Sequence, residues 1–215
     1  MQSSDKINYL SELLTCAGAP PEDAKRVLSA FTTPADIASA GQDILKNISG
    51  CSPETAELLN LVSTLSSRRV TDEFKPGRKY TTEEIKRYVC ALLFHLSVEC
   101  VYMISFNSSG RFIAADLITE GTINSSAFLP RKMADIALKR RASSVILAHN
   151  HPSGNPLPSD NDLTVTVLAE SVLRDAHVKL EAHYINVGFM IHDCLLDAKI
   201  MDERSKSVSK IEPIN

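Results

Sequence analysis

His149 and His151 stand one residue apart in the stretch AHNHPSGNPLPSDND, which runs from Ala148 to Asp162 and ends with Ser159 and Asp162 spaced as Ser-x-x-Asp. Side chains at i and i+2 of an extended segment point the same way, so the two imidazoles can reach one ion. Asp162 falls in the first turn of the helix expected next, and a loop shaped by Pro152, Gly154, Pro156 and Pro158 would fold that turn back over the histidines. Two histidines and a carboxylate make three protein ligands. A zinc site with three keeps a place for water, whereas a structural site is closed by four. Zinc lowers the pKa of the water it binds to about 7, and the chemistry then needs a base and an oxyanion donor. Ser159, three residues before Asp162, is placed to offer its hydroxyl. Helix capping is the competing explanation: Ser159 suits an N-cap, and a carboxylate at the third helical position suits a first turn. Both roles are compatible, but capping leaves the two histidines unexplained. Two histidines and a carboxylate also hold Fe(II); the order H-x-H…D in an α/β pattern argues against that choice.

The elements that would carry these residues are legible in the spacing of apolar positions. Residues 1–70 read as a small helical domain. Ile7, Leu10, Leu13 and Leu14 form one stripe, ended by Gly18-Ala19-Pro20-Pro21, and Ala24, Val27, Leu28 and Phe31 form another. Ser52-Pro53 opens a third helix, with Ala56, Leu59, Val62 and Leu65 on its apolar face. TDEFKPGRKY, residues 71–80, is polar around Pro76-Gly77 and reads as a linker. Thr81-x-x-Glu84 is a capping box opening a helix toward Leu96. The period then changes. ECVYMISF and RFIAADLITE, separated by Asn107–Gly110, read as a hairpin. A helix over 130–141, a doubly buried strand SVILAH, a helix from Ser159 or Asp160 to Arg174, and strands over 178–187 and 189–192 complete an α/β domain over 81–200. The tail, 201–215, is charged and poor in apolar residues, and fraying is expected there.

The 215 residues are 44% hydrophobic and carry a formal net charge of -3, so nucleic acid is not the default partner. Five scattered cysteines, none in C-x-x-C, argue against a disulfide framework and a cysteine zinc knuckle. MQSSDKINYL lacks a basic segment followed by an apolar core, and no apolar run is long enough for a bilayer. A cytoplasmic chain with no membrane partner is expected. His95, His177 and His192 have no partner spacing and read as structural. Lys139-Arg140-Arg141 reads as a solvated helix end rather than a nucleic-acid patch.

The pattern H-x-H-x7-S-x2-D, carried by His149, His151, Ser159 and Asp162, resembles the JAMM (MPN+) signature of the JAB/MPN metalloprotease superfamily. AHNHPSGNPLPSDND, together with EGTINSSAFLPRKM, is similar to the bacterial RadC branch in particular, and the resemblance spans residues 83–196. It implies an α/β fold: a JAB/MPN-like, cytidine-deaminase-like three-layer domain with a curved mixed sheet flanked by helices, here preceded by a small all-α domain. It implies Zn2+ held by His149, His151 and Asp162, and Ser159 as the oxyanion donor. The family's upstream glutamate matches Glu99, 50 positions before His149; by resemblance it is the general base that later passes the proton to the leaving amine. Glu120, also at a strand end, is a rival. Peptide or isopeptide bonds are the implied substrates, and a homo-oligomer stays open. One departure is Ala182-His183, where RadC-like chains often carry Asp-His; His183 is then expected in the core rather than as a ligand. Ile48–Ser52 followed by Ala56 looks like a degenerate helix-hairpin-helix, which leaves a DNA-associated or protein-docking module with an idle metal site as the alternative function.

Overall fold

A computed structural model of the protein describes residues 12, 14–16, 18–31, 52–94, 96–121, 128–188 and 190–209. The chain forms two compact units, Met1–Thr71 and Asp72–Asn215.

In the first unit, α1 (Pro21–Ala30) begins on a proline at its first turn, as its fixed φ permits. A second helix, α2, spans Pro53–Glu73. Leu14, Ala24, Val27, Ala56 and Leu59 make a small core. Asp23 is buried and receives hydrogen bonds from Ser52 N (3.0 Å) and Thr55 Oγ1 (2.9 Å), so a carboxylate on α1 ties down the start of α2. The hydrogen bonds from Ser52 hold its carboxyl down at about 2. Ile7, Leu10 and Leu13, and the residues 48–51 of the hairpin-like motif, lie outside the described residues.

The second unit is an α/β sandwich. Its elements are α3 (Thr82–Leu93), β1 (Cys100–Phe106), β2 (Phe112–Glu120), α4 (Phe128–Arg140), β3 (Ser144–Asn150), α5 (Asp160–Asp175), β4 (Lys179–Val187), β5 (Met190–Asp193) and α6 (Leu195–Ser209). The five strands form one mixed sheet in the order β2-β1-β3-β4-β5. Only β3 and β4 are parallel, and α5 is the crossover between them.

Period-two alternation along β3 decides what lies on each face. Val145 and Leu147 join the core packed with α4, α5 and Leu195 of α6, while Ile146 and Ala148 join the core packed with α3. The first core is aliphatic around Met133, Ala169 and Leu173; the second is richer in aromatic rings. β4 follows the same rule with one interruption. Val145 pairs with Leu180 but Ile146 pairs with Ala182, so Glu181 is an extra residue, a bulge. Beyond it, Leu147 faces His183 across the ladder.

Two stretches differ from their expected character. The polar segment 71–80 is not a bare connection: α2 continues to Glu73, and Phe74 is buried, stacked on Tyr80 at 3.9 Å and Tyr88 at 4.2 Å between ring centroids. Gly77 N donates to Phe112 O (2.8 Å) and Phe112 N to Arg78 O (2.8 Å), so this stretch is laced to the edge of β2. Two aromatic residues in a polar sequence, Phe74 and Tyr80, supplied the anchor. The tail expected to fray is helical as far as Ser209, as part of α6. No helix among the described residues is long and apolar enough to cross a membrane.

Leu147 sits fully buried on the central strand. Leu147→Ala is expected to lower the unfolding free energy by about 2–5 kcal/mol in urea titration, as deletions at well-packed sites do. A loss below about 1 kcal/mol would mean that the sheet centre is loosely packed.

Candidate metal centre

β3 delivers the first histidine and the chain just beyond it delivers the second. His149 is fully buried on the α5 side of the sheet, in register with Val101 of β1 and Ile185 of β4. His151 leaves the strand but stays pinned, because its backbone N donates to Asn186 O at 3.0 Å. A turn follows, with Gly154 N bonded to His151 O (3.0 Å) and Gly154 in the left-handed region at φ +82°. Asn155 then orders the rest of the loop: its side chain accepts from Leu157 N (3.1 Å) and its carbonyl from His151 Nδ1 (2.7 Å).

α5 begins with a capping box. Ser159 Oγ accepts from Asp162 N (3.2 Å), and Asp162 Oδ2 accepts from Ser159 N (2.7 Å) and from the Ser159 hydroxyl (2.6 Å). The same carboxylate faces the histidines. Its Oδ1 is 3.3 Å from His149 Nε2, and its Oδ2 is 3.4 Å from His151 Nε2. Burial alone would push the Asp162 carboxyl up, yet the adjoining His149 and His151 rings in their protonated form, with Ser159 assisting, hold it well below the usual carboxylate range. The bond to Asp162 raises His151 against the opposing effect of burial.

Glu99 completes the cluster from the residue before β1. Its Oε1 is 3.9 Å from His151 Nε2, and burial raises its carboxyl above the ordinary range. One ligand atom each from Glu99, His149, His151 and Asp162 lie within 4.8 Å of one another, the kind of group that can hold a metal ion. Side-chain exposure is graded, from 0% at His149 and 2% at Asp162 to 11% at His151 and 26% at Glu99. The donors are therefore sealed on the helix side and open on the glutamate side. Glu120, the rival carboxylate, is exposed at the end of β2 and is not in the cluster.

Residues 80–189, just over half of the chain, match the family described as the RadC-like JAB domain. The chain belongs to this RadC-like family of the JAB/MPN superfamily. Its relatives include a UPF0758 protein of Photobacterium profundum, 30% identical over 76% of this chain and 74% of its own length. Another, from Herminiimonas arsenicoxydans, is 30% identical over 72% and 69%. A third, from Cupriavidus pinatubonensis, is 32% identical over 62% and 59%.

Within the RadC-like domain, His183 is buried and bonded to His149, and Ala182 turns to the opposite face, among the aromatic core on the α3 side. A side chain at position 182 therefore points away from the donor cluster. Burial holds His183 well below the usual imidazole range. His177 closes α5 in a left-handed conformation (φ +59°), and His192 pairs with Asp197 at 2.8 Å. His95 lies outside the described residues. Arg140 of the basic cluster is paired with Asp116 through Nε (2.9 Å) and its terminal nitrogen. Burial pushes the Cys90 thiol to about 11 and Cys194 to about 12, so neither supplies a thiolate nucleophile.

Three polar residues that shape the site carried no motif signal: Asn150, Asn155 and Thr166. Asn150 is the most consequential for Glu99. Its Oδ1 accepts from Cys100 N (2.8 Å), and its Nδ2 donates to Leu96 O (3.0 Å) and Val98 O (2.9 Å). These bonds clamp the chain on both sides of Glu99. An amide at the end of an otherwise apolar strand, SVILAHN, was the available sign, since buried polar groups need partners.

Asn150→Ala strips partners from one N–H and two carbonyls. It is expected to cost about 1–3 kcal/mol of stability and to speed hydrogen exchange at Cys100 N. Unchanged exchange at that amide would remove Asn150 from the clamp.

Proposed function

We propose that this chain is a zinc-dependent hydrolase of peptide or isopeptide bonds, with His149, His151 and Asp162 as the zinc ligands, Glu99 as general base and acid, and Ser159 as oxyanion donor. The observation that carries the reading is the convergence of ligand atoms of Glu99, His149, His151 and Asp162, from three separate parts of the chain, within 4.8 Å. Two imidazoles and one carboxylate suit zinc, and three protein ligands leave a position open for water. Glu99 stands apart from the other three: it is the most exposed and its oxygen is 3.9 Å from the nearest histidine nitrogen. That spacing fits a group that handles a proton better than a fourth ligand. A Zn2+ ion bound there supplies Lewis acidity that makes water a nucleophile at neutral pH.

Each side chain then has a task in amide cleavage. Glu99 takes a proton from the attacking water and returns it to the leaving nitrogen. The substrate carbonyl enters from the open, Glu99 side. The Ser159 hydrogen is held by Asp162 Oδ2 (2.6 Å), while the bond from Asp162 N uses an oxygen lone pair, so the hydrogen can turn without breaking the cap. Turning that hydrogen from Asp162 to the substrate oxygen stabilises charge as it develops. Asp162 holds the edge of the site in place through the capping box.

Elemental mass spectrometry on protein purified without added metal tests the ligands; fluorogenic peptides and a lysine-isopeptide reporter test the chemistry. About one zinc per wild-type chain is expected, lost in His149→Ala. Glu99→Gln is expected to keep its zinc and lose about 10²–10⁴-fold in cleavage rate. A folded wild type without metal would return Ser159 and Asp162 to helix capping alone. Wild-type cleavage by Glu99→Gln would reject the base assignment. Zinc with no cleavage of any reporter would favour the binding module with an idle site.

A further inference from the structure

Behind His149 a chain of hydrogen bonds runs to the backbone of α5, and its direction is fixed at the far end. The Asp162 main-chain carbonyl can only accept. Thr166 Oγ1 lies 2.5 Å from it, so the threonine hydroxyl donates there. With its one hydrogen committed, Thr166 Oγ1 must accept from His183 Nδ1, 2.6 Å away. Cys194, whose neutral thiol is buried beside Thr166, is a weak donor and leaves that order intact. His183 therefore carries its proton on Nδ1 and offers the Nε2 lone pair to His149 Nδ1 at 2.9 Å. His149 must donate from Nδ1, and its Nε2 is left bare.

The same count from the other side reaches the same result. Asn155 O can only accept, so His151 donates from Nδ1 and its Nε2 is also bare. The two Nε2 atoms are 2.9 Å apart, with Asp162 oxygens at 3.3 and 3.4 Å. With both rings neutral, lone pairs converge with no hydrogen among them, an arrangement that calls for a cation, whether a metal ion or a proton.

We infer that Thr166 and His183 are positioning residues: a relay from the Asp162 carbonyl through Thr166 and His183 that fixes the tautomer of His149 and presents its Nε2 to the metal. His183 is not itself a ligand, since both of its ring nitrogens are engaged. The relay takes the place of the carboxylate or backbone carbonyl that more commonly receives the second N–H of a ligating histidine. Its use at the metal rests on the zinc reading above; the tautomer does not.

Long-range proton–nitrogen NMR of the histidine rings tests the relay in the whole chain, metal-free and after one equivalent of Zn2+. The peaks are assigned by their loss in His149→Ala and His183→Ala. In the metal-free wild type, His149 and His183 are expected to carry the proton on Nδ1, the minor form for a free imidazole in water. Thr166→Val removes the fixed end. It is expected to release His149 into a mixture of tautomers and to weaken Zn2+ binding about 10–100-fold. Thr166→Ser, which keeps the hydroxyl, is expected to restore both. His149 protonated on Nε2 in the metal-free wild type would overturn the relay. So would a folded Thr166→Val chain with unchanged tautomer and Zn2+ affinity. A wild type with His149 protonated on Nδ1 that fails to bind Zn2+ would support the relay and sink the zinc reading instead.

Discussion

The carboxylate of Asp162 closes the capping box of α5 and faces both histidines at once, so the start of that helix cannot shift without moving the donor set. Its orientation is set by backbone geometry, because Ser159 N and Asp162 N are both used in the box. A free carboxylate on a loop would lose rotamer and backbone freedom on binding an ion. Here much of that cost is met when the helix forms. The parallel pairing of β3 with β4 requires a crossover, and α5 is that crossover, which brings its N-terminus beside the end of β3. Topology and capping together bring Asp162 to the histidines.

Electrostatics sharpen the same arrangement. His149 and Asp162 are nearly inaccessible to water, and a charge buried there is tolerated only with partners. Asp162 has Ser159 and both imidazoles around it. The open side belongs to Glu99, the one carboxylate of the group left partly wet. The gradient from sealed to open leaves the cluster accessible from the Glu99 side. The clamp made by Asn150 holds the Glu99 backbone to the end of the strand that bears His149, so the two side chains share one rigid support.

Much of this was legible in the sequence because it is local. The capping boxes at Thr81 and Ser159 are set by residues three apart, and both form as their spacing predicts. The strand SVILAH rests on period two, which the sheet respects, and His151, one residue past its end, still brings its Nε2 to that of His149. Phe74 was hidden because two aromatic residues six apart among charges give no periodic signal, yet burying it beside Tyr80 and Tyr88 is enough to dock a stretch that otherwise reads as linker. Thr166 was hidden for another reason: four residues after Asp162 it lies on the buried face of α5, where a threonine is easily taken for core packing. Its meaning depends on what stands across from it, and that is a property of tertiary structure.

The extra residue at Glu181 turns β4 into a matter of parity. With strict alternation, His183 would share a face with Glu181 and lie across the sheet from Leu180; with the bulge it shares the face of Leu147 and His149. Substitutions leave that parity alone, since they alter side chains and not the count of residues. Taking Glu181 into a regular ladder in place of the bulge would exchange the facings of Ala182 and His183, setting a methyl group beside His149 and an imidazole among aromatic rings, whereas deleting Glu181 would keep Leu180 on Val145, Ala182 on Ile146 and His183 where it is. In this strand the bulge itself, more than the identity of the residue it sets aside, decides what His149 meets.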